Sequence, residues 1–248
     1  MLSRAMTAQC RAEILRTLRN RRFVIFALLM PALFYFIFTS VVGDAMQIGG
    51  IEWKAYYLMS MTVYGVLGSS ITSLSSRLAA ERASGYNRLL RVTPLSSSIY
   101  VASKMVSTSV INAGIILFMF LLGSLFKGVV MSWEQWLFCG LWIWAGALPF
   151  MALGTLLGQL RNTDAVQVVS QLVYMGISIL GGLWFPKQAM SPVLQRVMEL
   201  MPSYRFGSGA WGLAAGHSVS GSSLLTLVVY AALFVVLSSY LNKRQDAI

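Results

Sequence analysis

The sequence predicts an all-α membrane protein with six transmembrane helices. Three observations carry that expectation. Of 248 residues, 57% are apolar and only 11% are charged, and mean hydropathy is +0.69. A soluble domain carries about a quarter charged residues, and a disordered chain is far less apolar. Six apolar runs reach the length that crosses a bilayer, about 20 residues, and none contains Asp, Glu, Lys or Arg. Lys and Arg then segregate to alternate connections: 14 in one set against 5 in the other. That bias places both termini in the cytoplasm, with an even number of crossings. It also explains the net charge of +11 through the inner leaflet, so nucleic acid is not an expected partner.

The N-terminal arm, residues 1–22, forms one unit, and residues 23–248 form the transmembrane domain. In the arm, Leu2, Met6, Cys10, Ile14 and Leu18 recur every four residues, with Leu15 beside them. Arg4, Arg11, Arg16 and Arg19 lie off that stripe. The pattern predicts an amphipathic helix in the cytoplasmic interface rather than a plain basic tail. The spans are expected at 23–42, 55–74, 105–126, 136–158, 165–185 and 222–241. The first is too long for the apolar core of a signal peptide, and no small-residue cleavage site follows it.

Between spans two and three lies a long basic loop, Ser75 to about Lys104. Tyr86, Leu89 and Leu90 share one face of a short helix there, while Arg82, Arg88 and Arg91 supply polar faces. Gly85 permits a sharp turn before it and Pro94 prevents continuation beyond it. Two readings fit: a docking element for another protein, or a juxtamembrane loop whose arginines touch lipid phosphates. Gly154 and Gly158 in span four make a GxxxG pattern, which allows close helix approach but also arises by chance in a Gly-rich apolar chain. Pro186 to Gly221, on the outer side, is too short to span and too apolar for a free loop. It is expected to be re-entrant or interfacial, with one short helix between Pro192 and Pro202 and irregular backbone buried in protein.

The chemistry-bearing residues are few. No G-x-x-x-x-G-K-[ST] phosphate loop occurs, so ATP binding of the usual kind is not expected in this chain. His217 is the one histidine, and Cys10 and Cys139 are the two cysteines, which leaves neither a His-based nor a Cys-rich metal site. The acidic residues all fall outside the spans, and the scatter of Asp44, Glu52, Glu134 and Glu199 offers no catalytic cluster. An enzyme is therefore not expected, and no catalytic, metal or cofactor residue is assigned. Within the spans the polar groups are neutral, among them Asn112, Gln167 and Gln171. A chain that moves solute uphill without an ionisable residue at mid-membrane must take its energy from another subunit.

Glu81-Arg82-Ala-Ser-Gly85-Tyr86-Asn-Arg88-Leu89-Leu90-Arg91-Val-Thr93-Pro94 resembles the coupling-helix motif of type-2 ABC exporter permeases. Asn87 stands where that motif commonly has an acid, and Ser103-Lys104 where it commonly has Gly-Lys. Gly181-Gly182-Leu-Trp184-Phe185-Pro186 resembles the family's end of span five, and Arg161-Asn-Thr-Asp-Ala165 its short inner turn. The resemblance covers nearly the whole chain. It implies an interfacial N-terminal helix, six spans, a coupling helix between spans two and three, and re-entrant outer helices before span six. It also implies two ABC ATPase subunits that bind ATP and Mg²⁺, and a second permease copy or paralogue. The ATPase would grip Glu81, Arg82, Gly85, Tyr86, Arg88, Leu89, Leu90, Arg91, Thr93 and Pro94.

The expected activity is outward export of a lipophilic or amphipathic drug, antibiotic or lipid across a bacterial inner membrane. Tyr57, Tyr64, Tyr174, Trp184 and Phe185 are candidates for the substrate path, against the alternative that they pack the core or form an interfacial belt. Small permeases with this Gly-Gly-x-Trp-Phe-Pro ending look similar to multidrug and antibiotic-resistance exporters. Polysaccharide or glycolipid export, or a non-transporting sensor or immunity subunit, are the alternative expectations.

Overall fold

The computed structural model describes residues 2–42, 46–85, 97–160 and 162–246, and these are almost entirely helical. Helix α1 spans Leu2–Arg19 and α2 spans Arg21–Val42. A two-stranded hairpin follows, β1 (Gln47–Ile48) and β2 (Ile51–Glu52), turned by Gly49 and Gly50 at positive φ. Paired glycines in that conformation match the twist of a tight hairpin.

The axis of the molecule is α3 (Trp53–Gly68). It passes through a π-turn at Ser69–Ser73 directly into α4 (Leu74–Ala83). Together they make one rod of 31 residues, about 46 Å long. Tyr57, Leu58, Met59, Met61, Val63, Val66 and Leu67 on α3 have no exposed surface. Helix α5 (Ser97–Lys127) runs beside this rod. Then come α6 (Trp133–Ala145), α7 (Leu148–Leu157) and α8 (Thr163–Leu180). Ser132 starts α6 with a reciprocal capping box to Gln135, and the Asn162 side chain caps α8 by accepting from the Asp164 amide at 2.9 Å. Both satisfy amide groups that a helix start would otherwise leave open.

Among the described residues, four helical stretches are long and apolar enough on their own to cross a membrane: Ile99–Lys127, Trp133–Leu157, Thr163–Leu180 and Gly221–Leu241. Ala27–Val42 is a shorter apolar helix. The apolar run expected as span two lies on α3, where the π-turn divides it. The run expected as span four is broken at Gly146, between α6 and α7. Pro149, in the first turn of α7, has no N–H to give the Ala145 carbonyl and its ring crowds that carbonyl. Gly146 leaves room there for the Phe206 ring, since a Cβ on it would lie 2.5 Å away.

Outer segment 186–221 departs from the irregular backbone expected there. After a single 3₁₀ turn at Lys187–Ala189, α9 (Pro192–Leu200) and α10 (Pro202–Ala214) fill it. Each begins on a proline, whose fixed φ and missing N–H suit the first helical position. Helix α10 packs on α3, α6 and the terminal helix α11 (Gly221–Asp246). Trp142 Nε1 donates to the Phe206 carbonyl at 2.8 Å, and Trp211 Nε1 donates to Ser60 Oγ at 2.9 Å.

Close approach of backbones holds α7 to the rod. A Cβ on Gly154 would come within 2.1 Å of the Ser70 carbonyl oxygen, and one on Gly158 within 3.1 Å of Leu78 Cβ. The GxxxG pattern is therefore a packing contact. Where lipid removes the hydrophobic drive between helices, such contacts carry the association. On α11, Leu224, Leu225, Val228, Val229, Val235 and Val236 face outward and exposed.

Candidate functional site: an axial cavity with a charge cluster at its mouth

At one end of the rod, three helices bring i, i+4 polar pairs to one point. Glu13 and Thr17 share a face of α1, Arg77 and Glu81 a face of α4, and Lys104 and Thr108 a face of α5, with Tyr100 one turn before Lys104. Lys104 Nζ lies 2.6 Å from Glu13 Oε2 and 2.5 Å from Glu81 Oε1, and its side chain is fully buried. Tyr100 donates its hydroxyl to the second oxygen of Glu81. Arg16 reaches the first from outside at 2.7 Å. Arg77 donates to Thr17 Oγ1 at 2.7 Å and to Thr108 Oγ1 at 2.8 Å, so one guanidinium ties α1 to α5. Burial lowers the Arg77 pKa, while Glu13 and Glu81 oppose that shift and keep the charge in place. Each buried charge has a partner, the condition under which burial is tolerated.

Above this cluster a cavity of about 790 Å³ runs along the rod. Its floor is one side of α3, the π-turn and α4, and α2 and α8 flank it. At the far end Phe34, Tyr64, Tyr174 and Trp184 form an aromatic wall. Tyr64 stacks on Tyr174 with ring centroids 4.8 Å apart, and Phe34 meets Trp184 at 4.6 Å. Tyr174 donates to the Tyr64 carbonyl at 3.1 Å. The middle is polar and uncharged: Ser69, Thr72 and Ser73 of the π-turn, Ser76 below it and Gln171 across from it. Glu13, Arg16 and Glu81 close the near end. π-turns recur at functional sites because they turn extra groups out of the helical ladder; this one turns hydroxyls onto the cavity wall. Among the described residues, no three His, Cys, Asp or Glu side chains form a group that could hold a metal ion.

The sequence model of ABC-2 family transporter proteins matches residues 50–240. A relative from Bacillus subtilis strain 168, named "Putative transport permease YvfS", is 42% identical over 237 residues, covering 96% of each chain. The chain belongs to the ABC-2 transporter family. It is accordingly a multi-pass membrane protein and a transport permease subunit, of a family that works with an ABC ATPase.

Within this ABC-2 permease, the residues singled out from sequence fall in different places. Glu81 is buried in the charge cluster and holds α1 and α5. Arg82 turns back onto the bundle, donating to the Gly158 carbonyl at 2.7 Å and to the Leu160 carbonyl, at the C-terminal end of α7. Gly85 ends α4 at φ 76°. Tyr86, Arg88, Leu89, Leu90, Arg91, Thr93 and Pro94 lie outside the described residues. Tyr64, Tyr174 and Trp184 come together on the cavity wall. Tyr57 does not line it: it is buried between Trp53 and Phe38. Phe185 is exposed at 45% and also lies off the wall. His217 is exposed.

Sequence reasoning did not find Glu13, Thr17, Tyr100 and Lys104 as one cluster. The signal was present as polar residues four apart in three segments, but nothing in the sequence says that the three faces meet. The amphipathic arm is also richer than its apolar stripe. Among its described side chains the buried ones are the polar Glu13 and Thr17, while Leu15 is 45% exposed.

Proposed function

We propose that this chain is the membrane permease of an ATP-driven exporter, crossing a bacterial inner membrane six times with both termini cytoplasmic. Two ABC ATPases, which bind the ATP and Mg²⁺, dock on the segment from Tyr86 to Pro94 of two permease copies or paralogues. The cargo is a lipophilic or amphipathic molecule that enters the cavity beside α3 and α4. Segment 1–22 serves as the interfacial arm and 23–248 as the transmembrane domain.

One observation carries this reading. The helix that floors the cavity is the helix that leads into the docking segment. Arg82 and Glu81, at its end, are bonded to α7, α5 and α1. A force applied beyond Gly85 is therefore delivered to α4 and, through these bonds, to α1, α5 and α7 together. ATP-driven closure of the ATPase pair would shift α1, α4 and α5 as a unit and widen the route past the aromatic wall.

The test leaves the bundle intact, because a deletion that removed Glu81 and Arg82 would break internal bonds as well as docking. Leu89→Asp and Leu90→Asp together should abolish ATPase co-purification and ATP-dependent transport while membrane insertion and thermal stability stay unchanged. Transport that survives this pair of substitutions would overturn the docking site.

A further inference from the structure

We infer that the cavity takes an anionic amphiphile with a ring-bearing body, its head at Arg16 and its rings against Tyr64, Tyr174 and Trp184. This rests on the permease reading above and names its cargo class.

The charge arrangement at the mouth is lopsided. Glu13 and Glu81 are each about 5% exposed and are turned inward onto Lys104. Arg77 spends its donors on Thr17, Thr108 and the Ser73 carbonyl. Arg16 alone among these five side chains points outward, 63% exposed, bonded through Nη1 to Glu81. A guanidinium carries five N–H donors in a planar fork. The cluster sums to three cations against two carboxylates, and the surplus charge faces the entrance. A carboxylate or phosphate head gains a charge-assisted bond there, whereas an ammonium head meets repulsion.

The body of the ligand is specified too. Glu81 and Tyr64 are seventeen residues apart on the rod, about 25 Å along its axis, so the cargo is elongated. Midway, Thr72, Ser73, Ser76 and Gln171 line the wall with neutral polar residues. A wall of that kind suits a molecule that carries neutral hydrogen-bonding groups between its head and its rings.

The test uses the permease with its co-purifying ATPase in phosphatidylcholine nanodiscs. Three probes share one ring system on a twelve-carbon tether that matches this separation of head and rings: pyrenedodecanoate, pyrenedodecanol and pyrenedodecylamine. Energy transfer from tryptophan to pyrene reads binding, and empty nanodiscs supply the partitioning blank. Pyrenedodecanoate should bind about tenfold more tightly than the other two, the discrimination of a single charge-assisted bond at a partly exposed site. Arg16→Gln should lower pyrenedodecanoate to the level of the alcohol and leave the alcohol unchanged, while Arg16→Lys keeps the preference. Glu81 retains Lys104 and Tyr100 in both variants, so the fold survives.

Tyr174→Leu should weaken all three probes together. Loss of pyrenedodecanoate binding on adding phosphatidylglycerol would assign the site to a lipid head. ATP-dependent accumulation of pyrenedodecanoate would assign it to free cargo. Equal binding of the three heads, or a preference that survives Arg16→Gln, overturns the anionic assignment and leaves the permease reading standing. Binding of none overturns the cavity itself.

Discussion

Replacing Lys104 with methionine keeps the volume and apolar stem of the side chain and removes only the charge. Glu13 and Glu81 then face each other, both nearly buried, and the cation that lay 2.6 and 2.5 Å from them is gone. Removing one partner of a buried ion pair costs about 3–5 kcal/mol, because the remaining charge stays desolvated. At roughly 2–4 °C per kcal/mol for a chain of this size, Tm should fall by about 6–20 °C. The measurement is thermal unfolding of the purified protein in a mild detergent, followed by tryptophan fluorescence. The control is the triple variant Glu13→Gln, Glu81→Gln, Lys104→Met, which strands neither carboxylate and leaves Arg77 its hydroxyl partners Thr17 and Thr108. It should regain at least half of the lost Tm, a non-additivity expected of groups in one network. A Tm within about 2 °C of the parent for Lys104→Met, or a triple variant that falls by the sum of its parts, would refute the claim that these helices are joined by charge.

Other positions make narrower predictions. Gly154→Ala should cost about 1–3 kcal/mol, since the added methyl meets the Ser70 carbonyl oxygen at 2.1 Å and the helices must part; denaturant titration reads it. Arg82→Gln removes the charge that caps the α7 carbonyls and should cost about 1 kcal/mol, with faster amide exchange confined to residues 156–160. Gly68→Ala places a methyl 3.0 Å from the Tyr174 hydroxyl. It should raise the KM of transport several-fold by displacing that ring, with Tm nearly unchanged.

Much of the helix placement was legible because each apolar run is long and bounded by charge or proline. The runs at 23–42 and 105–126 lie inside α2 and α5. The π-turn at Ser69–Ser73 was not legible, because it lies where α7 crosses at Gly154, far away in sequence. The break between α6 and α7 has a local cause in Pro149, but the Phe206 ring that packs against Gly146 there comes from far along the chain. Helices α4 and the start of α5 also run well past their apolar spans, because buried polar contacts sustain them where hydropathy falls. A short helix lies between Pro192 and Pro202 as the sequence predicts. The segment after Pro202, expected to be re-entrant or interfacial with irregular backbone, is a second helix, in which Gly207 and Gly209 are small because Trp211 and Trp142 lie against them. For the site, the aromatic residues Tyr64, Tyr174 and Trp184 could be named but not assembled. Glu13 and Lys104 looked like ordinary interfacial charges until three helix faces met.

The central claim is that this permease has no fuel of its own and is driven through the segment beyond Gly85. Proteoliposomes decide it most directly, with pyrenedodecanoate uptake into inverted vesicles followed in three preparations: permease alone, permease with its co-purified ATPase, and that complex carrying Leu89→Asp and Leu90→Asp. ATP-dependent accumulation in the second alone is the predicted result. Accumulation by the permease without an ATPase, or by the variant complex, would contradict it.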